Sequence, residues 1–404
     1  MKILLINQAF YPDVVATAQV LTDFAVYLVQ EGHDVTVLAG RRGYVPPHPL
    51  YEAQERYRQI RVIRVCSFIF GRRNRVTRVL DALILNAAFA ITLFRLPRFD
   101  RVVAMTTPPL VAWAALVFCK WRKIRFIYWV MDINPDQAIK AGWIKEDSIE
   151  ARFLNRTLKF VLRHSDKVVV LDHFMKETVL EKGTVPEKIS VIPPWFPESD
   201  LEAVSDEPNP FREEHQLNGK FTVMYSGNHS VCHPLDTLLS AALFFKDDPS
   251  VIFLFIGGGK RVNDVIRFRK KHKLSNIVHL PYQDRLTLRY SLSAANLHVV
   301  VMGNPYVGIV HPSKIYGILS VGKPFVFIGP EESHIGEMIC RFGIGETVAH
   351  GDHRGLVQLI NKTRQLSTEQ MRLISEKTVA LKNEQFQQKK QCVHLAEIVY
   401  GESS

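Results

Sequence analysis

Short apolar runs alternate with longer amphipathic stretches along the chain, and the alternation predicts strands and helices in turn. Residues 1–7 read as an apolar strand, 17–30 as an amphipathic helix, and 31–39 as a turn leading into a second strand. Strands are predicted again at 60–66, 101–105, 126–130, 167–171 and 190–192. The proline cluster from Pro193 to Pro197, with the acidic stretch running on to Pro210, reads as an interdomain linker. Beyond it the pattern restarts, with strands at 221–226, 251–256, 277–280, 297–301 and 325–328. Such alternation implies parallel sheets covered by helices on both faces. The reading is α/β, with doubly wound domains at 1–195 and 196–385 facing each other across a cleft at the C-terminal strand edges, where such sheets bind ligands. The polar stretch 382–404 reads as a helix, and its part 386–404 is expected to pack back on the first domain.

Two apolar stretches carry an unusual flank of positive charge. In 79–94, Leu80, Leu83, Ile84, Ala87, Ile91 and Phe94 recur at helical spacing, preceded by Arg72, Arg73, Arg75 and Arg78. The run 109–119 continues into Lys120, Arg122, Lys123 and Arg125. A bilayer core needs about 20 apolar residues, so neither is expected to span a membrane. The formal net charge is +11, and residues 1–195 hold nearly all of the excess, with 28 Lys+Arg against 18 Asp+Glu. Between Arg56 and Arg125, 15 basic residues face only Asp81 and Asp100. One reading is interfacial: apolar faces dip into an anionic membrane surface, and each nearby basic residue adds about 1 kcal/mol. The other is two core helices with a solvated basic rim. Nucleic acid is disfavoured, because the basic residues neighbour aliphatic runs and not exposed stacking aromatics.

With 404 residues, 47% hydrophobic and 23% charged, the chain is expected to be globular and long enough for two domains. Cys66, Cys119, Cys232, Cys340 and Cys392 are odd in number, widely spaced and without a CxxC pair, which argues against a disulfide framework and fits a reducing cytoplasm. The first apolar run is short and leads into a loop, so it is expected to be a strand rather than a signal peptide. No HxH or HExxH pattern occurs among the 15 histidines, and no metal is expected.

The richest candidate chemistry lies in 304–328. It reads as a loop delivering Gly308, His311, Ser313 and Lys314 to the start of a short helix, closed by Gly322 and followed by a buried strand. Free N–H groups and partial positive charge at a helix start, joined by a serine and a lysine, suit phosphate. The alternative is that Lys314 is a surface lysine beginning a helix. No Gly-x-Gly-x-x-Gly follows the first strand, which disfavours a dinucleotide-dependent dehydrogenase.

Tyr11-Pro12, the run from Glu31 to Leu38, Tyr225-Ser-Gly-Asn228, Phe255-Ile-Gly-Gly-Gly259, Leu280-Pro-Tyr282, and Pro312-Ser-Lys-Ile-Tyr316 up to Gly322-Lys-Pro324 occur in an order that resembles the retaining glycosyltransferases of family 4. The likeness is to a branch with Ser-Gly-Asn and Pro-Ser-Lys motifs and covers nearly the whole chain. It implies the GT-B fold, an N-terminal acceptor domain, a C-terminal domain holding a nucleotide-sugar, no cofactor and no required metal.

In register with that family, Gly227 lets the donor diphosphate approach the backbone, and Asn228 and His229 lie beside it. Relatives often have an arginine at the Asn228 position and a lysine at the His233 position; here His233 is expected to become cationic near the diphosphate. Gly258 and Lys260, in the glycine turn, are expected near the donor, and Pro281 and Tyr282 near the nucleobase. Two family glutamates are replaced by Ile309 and Gly317, which leaves His311, Ser313 and Lys314 for donor contacts. Ala16 and Thr17 stand where relatives carry a Gly-Gly pair at the donor phosphates. Asp132, in Trp129-Val-Met-Asp-Ile-Asn-Pro-Asp136, is the candidate for bonding the transferred sugar or acceptor hydroxyl, the alternative being a turn cap with Asp136 solvated.

The resemblance implies retaining transfer by front-face attack, with Asp132, His311 and Lys314 as the residues of catalysis. Membrane contact and sugar transfer then combine into a peripheral enzyme of the cytoplasmic membrane face, using a nucleotide-sugar donor and a lipid-linked or cell-envelope glycan acceptor. A nucleotide-sugar epimerase or hydrolase, or a non-catalytic sugar-nucleotide-binding partner subunit, are the alternatives.

Overall fold

The structure, a computed structural model, describes residues 1–43, 48–65, 75–197, 209–284 and 287–401. Cys66, Arg72, Arg73 and most of the acidic part of the expected linker lie outside the described residues, as do the side chains of Arg75 and Arg78. The chain divides into two compact units. The first comprises Met1–Pro194, Gly308–His311 and Lys389–Ser404; the second comprises Trp195–Val307 and Pro312–Gln388.

The first unit runs β1 (Lys2–Ile6), α1 (Ala16–Gln30), β2 (Asp34–Gly40), β3 (Gln54–Tyr57), β4 (Ile60–Val65), α2 (Arg75–Arg95), β5 (Arg101–Ala104), α3 (Val111–Arg122), β6 (Arg125–Trp129), α4 (Asp136–Lys140), α5 (Ile149–His164), β7 (Lys167–Val170), α6 (His173–Glu181) and β8 (Ile189–Val191). Its eight strands lie in the order β3-β4-β2-β1-β5-β6-β7-β8, parallel except for the antiparallel edge strand β3. Ile3 to Ile6 and Val102 to Ala104 are fully buried, because a sheet covered on both faces favours continuous apolar strands over alternating ones.

The second unit runs α7 (Pro210–Glu214), β9 (Phe221–Ser226), α8 (Asp236–Phe244), β10 (Val251–Ile256), α9 (Val262–His272), β11 (Ile277–Leu280), α10 (Leu288–Ser293), β12 (Leu297–Val301), α11 (Lys314–Val321), β13 (Phe325–Ile328), α12 (His334–Phe342), β14 (Glu346–Val348), α13 (His353–Arg364) and α14 (Thr368–Gln385). Its sheet is parallel throughout, in the order β11-β10-β9-β12-β13-β14. The strand order reverses between β9 and β12, so the loops leaving their C-terminal ends form the crevice in which an open parallel sheet binds ligands.

The five strands read from the apolar runs of the second half appear with the same ends in β9, β10, β11, β12 and β13. Two short strands were not anticipated. β3 is polar, and it is held by the buried Arg64 guanidinium, which pairs with Glu55 and donates to the carbonyl of Tyr11. β14 has three residues. The stretch expected as one helix from 382 is divided: α14 ends at Gln385 and α15 (Gln388–Tyr400) follows. Within the first unit, Arg101 donates to the carbonyls of Val399 at 2.9 Å and Tyr400 at 2.8 Å, fixing the end of α15 beside β5.

Candidate functional site

In the second unit the chemistry converges at the switch point. β9 ends at Ser226, and the chain turns through Gly227 with φ +128°. α11 begins at Lys314, and its side chain leans back over this loop: Nζ lies 3.7 Å from the Tyr225 ring centroid. A Cβ added at Gly227 would lie 3.4 Å from Lys314 Cε and 3.6 Å from Nζ, so the loop backbone passes directly against the lysine tip. Burial pushes the pKa of Lys314 down to about 7, and Nζ has no hydrogen-bond partner. Lys314 is therefore not a surface lysine. A buried ammonium with unused donors in a glycine loop at the β9/β12 crevice can take an anion.

Two histidines stand beside it. His229 is fully buried; its Nδ1 donates to the Gly227 carbonyl at 3.1 Å, and its backbone N–H bonds Gly258 at 2.7 Å. Burial, and next the Lys314 charge, lower its pKa to about 3. His233 was expected to become cationic beside a bound diphosphate; in the ligand-free protein burial, with Lys314 adding to it, holds its pKa well below the ordinary value. Among the described residues, Lys314 Nζ at the start of α11 and His229 Nε2 and His233 Nδ1 on the loop after β9 are buried side-chain atoms without hydrogen-bond partners.

The glycine turn after β10 closes the same cluster. Gly257, at φ +121°, leaves no room for a side chain, since a Cβ there would lie 2.2 Å from the Gly227 oxygen. A Cβ at Gly258 would touch the ring of Tyr282 at 3.0 Å, so Tyr282, after β11, covers this turn. Asn228 is exposed, with its carbonyl accepting from the Tyr225 hydroxyl at 2.9 Å. Lys260 and Pro281 are exposed at the rim, and Ser313 caps α11 in sequence without a side-chain bond. At Gly317, one of the two positions at which the family resemblance led to an expected acid, a Cβ would lie 2.8 Å from the Phe196 ring. A carboxylate there would displace that ring.

The remaining predicted residues belong to the first unit. Ala16 and Thr17 open α1 after β1, without a side-chain cap. His311, read from sequence as one cluster with Lys314, lies with Gly308–His311 in the first unit. Its Nδ1 donates to Asp172 Oδ2 at 2.6 Å, and both residues are buried. Asp172 also caps α6, accepting from the Met175 N–H at 2.8 Å. The segment is stitched to the loop after β6: Ile133 N–H donates to the Ile309 carbonyl at 2.9 Å, and Asp132 pairs with Val310 in an antiparallel bridge. Gly308, at φ +68°, is required because a Cβ would lie 2.6 Å from Thr178 Oγ1. Asp132 makes no cap, since α4 starts without a side-chain bond. Burial pushes its carboxyl up to about 6, with the nearby His311 opposing the rise. Asp136 is not simply solvated; it pairs with Lys182 at 2.7 Å. Asp172 was missed in the sequence, where its spacing to Met175 signals a helix cap and nothing more.

Among the described residues no helix is long and apolar enough to cross a membrane. In α2 the buried stripe is Leu85, Phe89 and Leu93, whereas Leu80, Leu83, Ile91 and Phe94 of the predicted apolar face are exposed. α2 packs on α3, which exposes Trp113 and Trp121, and α3 packs on α5, which exposes Ile149, Phe153 and Phe160.

Residues 16–195 match the glycosyl transferase 4-like domain. WbjE of Pseudomonas aeruginosa, named as a glycosyltransferase, is 28% identical over 276 residues, 67% of this chain and 68% of its own. WcaI of Escherichia coli (strain K12), named for glycosyl transfer in colanic acid biosynthesis, is 23% identical over 358 residues, covering 85% and 86%. The crystal structure of Anabaena Alr3699/HepE in complex with UDP and glucose superposes with a TM-score of 0.73 at 15% identity, covering 99% of each chain. These matches support a glycosyltransferase, and the two parallel α/β sheets have the GT-B fold.

Proposed function

We propose that this protein transfers a sugar, with retention, from a nucleotide-sugar to a lipid-linked or cell-envelope glycan acceptor, working peripherally at the cytoplasmic face of a membrane. The observation that carries the reading is the buried Lys314 ammonium, without a hydrogen-bond partner, against Gly227 at the β9/β12 switch point. On this reading the second unit holds the donor. Lys314 and the backbone amides around Gly227 and Gly258 neutralise the diphosphate, and Tyr282 borders the nucleobase. HepE has been crystallised with UDP and glucose, so a UDP-hexose is the first donor to try. Glycan biosynthesis is supported by the colanic acid assignment of WcaI.

The first unit supplies the acceptor side. The acceptor hydroxyl forms the new bond to the anomeric carbon as the bond to the diphosphate oxygen breaks on the same face. The hydroxyl proton passes to the departing phosphate oxygen. Asp132 accepts a hydrogen bond from a sugar hydroxyl, and His311 presents Nε2 because Asp172 fixes Nδ1. Lys314 provides the cation at the leaving group, so no metal enters the proposal. Membrane contact is supported by the exposed apolar residues of α2, the exposed tryptophans of α3 and the adjacent basic residues.

The test is incubation of purified protein with radiolabelled UDP-hexoses and a membrane lipid extract. Label entering lipid with wild type and not with Lys314→Ala is the expected result. Free labelled hexose in place of labelled lipid would mark a hydrolase, and bound donor without turnover a binding subunit.

A further inference from the structure

A second concentration of charge lies in the first unit, separate from Lys314. α4, α5 and α6 enclose a cleft of about 490 Å³ lined by Lys140, Arg152, Arg156, Lys159 and Lys182, with Asp136, Glu146 and Glu181. Five cations against three carboxylates leave a surplus of two positive charges in a concave site. The cleft has a fixed floor: Lys182 is buried, pairs with Asp136 at 2.7 Å and reaches Asn155 at 3.4 Å. Asp136 Oδ2 is buried without a hydrogen-bond partner, leaving an acceptor for a hydroxyl.

The helix that supplies most of this charge has a second face. Arg152, Asn155, Arg156 and Lys159 are three and four residues apart, so they form one stripe of α5 along the cleft. Ile149, Phe153 and Phe160 are four and seven apart and form the neighbouring stripe, at 83%, 58% and 43% exposure. Ala151, Leu158, Val161 and Leu162 take the core side. An exposed aliphatic and aromatic stripe thus runs beside a cationic cleft on one rigid helix. The cleft also borders the acceptor-side residues: Asp136 starts the helix after the Asp132 loop, and Thr178 lies on α6, which is capped by Asp172, the residue holding His311.

We propose that this cleft binds the phosphate or diphosphate head of the acceptor lipid, with the hydrocarbon chain running along Ile149, Phe153 and Phe160. Arg152, Arg156, Lys159 and Lys140 receive the phosphate oxygens, Asn155 and Asp136 Oδ2 bond the first sugar, and the stripe meets the bilayer. The inference rests on the lipid-linked reading of the acceptor given above. It names a specific headgroup pocket, as distinct from the diffuse attraction of a basic surface.

The test is direct binding by the full chain, without turnover. Phosphatidylcholine vesicles containing an isoprenoid diphosphate are compared with vesicles of equal surface charge containing phosphatidylglycerol, and with inorganic pyrophosphate as a soluble competitor. Wild type is expected to bind the diphosphate lipid at least about tenfold more tightly than the charge-matched vesicles, and the Arg152→Ala/Arg156→Ala double variant to lose that margin. Arg163→Ala, on the same helix but outside the cleft, is expected to keep it. Pyrophosphate is expected to compete more weakly than the lipid. Equal binding of both vesicle types, or an unchanged margin in the double variant, overturns the pocket. Pyrophosphate binding as tightly as the lipid overturns the lipid source. Thermal shift by a UDP-hexose is read on every variant: it reports folding and the donor site, so a failure of the glycosyltransferase reading appears there and not in the vesicle assay.

Discussion

Donor binding is predicted to be coupled to proton uptake by Lys314, and the coupling is large enough to measure. In the ligand-free protein, burial lowers the pKa of Lys314 to about 7, so the group over the Tyr225 ring is half-charged at that pH. On the proposed reading the diphosphate is met by the ammonium form. Below pH 7 the charge is already present, and binding takes up little. Above pH 7 each unit of pH makes the charged form about tenfold rarer, which weakens the donor by about 1.4 kcal/mol per unit until the pKa of the complex is reached. At pH 8 roughly 0.9 proton is taken up per donor bound, from a group with a pKa one unit below. Isothermal titration of UDP-hexose at pH 8, in buffers of different ionisation enthalpy, reads this number from the slope of observed enthalpy. Lys314→Met is expected to bind weakly and without uptake. The same lowered pKa has a sign for stability. Between about 7 and 10.5 the unfolded chain holds a proton that the folded chain lacks, so this group makes ligand-free stability rise with pH across that window. A wild-type affinity that is flat from pH 7 to 9, or an uptake that survives in Lys314→Met, would falsify the assignment.

Other consequences follow from the first unit. Asp132→Asn is expected to lower kcat about a hundredfold for loss of a catalytic hydrogen-bonding carboxylate. The carboxyl is raised to about 6, so wild-type stability from this group falls as pH rises from 3.8 through 6, and the melting temperature of the variant should exceed wild type at pH 8. Asp172→Ala removes both the α6 cap and the His311 bond and should cost about 2 kcal/mol in urea unfolding, whereas Asp172→Asn should recover about half. Leu83→Ser with Ile91→Ser, on the exposed face of α2, should reduce flotation with anionic vesicles while leaving the UDP-hexose thermal shift intact.

What could be read in the sequence, and what could not, follows from how far the information travels along the chain. β9, β10, β11, β12 and β13 were legible to the residue, because a buried parallel strand is an uninterrupted apolar run bounded by polar turns. β3 was not, since Gln54–Tyr57 has no apolar signature and depends on Arg64, seven residues beyond its end. Lys314 was legible as a lysine at a helix start, the place at which α11 begins, and its phosphate role is the proposal made from it. That the lysine is buried over Tyr225, 89 residues earlier, was not legible, and nor was the burial of His233, which with the nearby Lys314 lowers that histidine's pKa. The division between His311 and Lys314 was equally hidden. Three residues apart, they belong to different compact units, because the Ile309 carbonyl and Val310 pair with the Asp132 loop and Asp172 captures the imidazole. On α2 the apolar face seen in sequence is the exposed one, since two apolar stripes share the helix and periodicity alone does not say which meets the core.

The central claim is sugar transfer with retention, driven by charge at Lys314. Its most direct test is the anomeric configuration of the lipid product formed from an α-linked UDP-hexose, read by proton NMR, together with the single-turnover rate of wild type and Lys314→Met. Removing an electrostatic contact to the leaving group lowers the rate at least about a hundredfold, and the wild-type product keeps the α configuration. A β-configured product, or a Lys314→Met rate equal to wild type, would contradict the account.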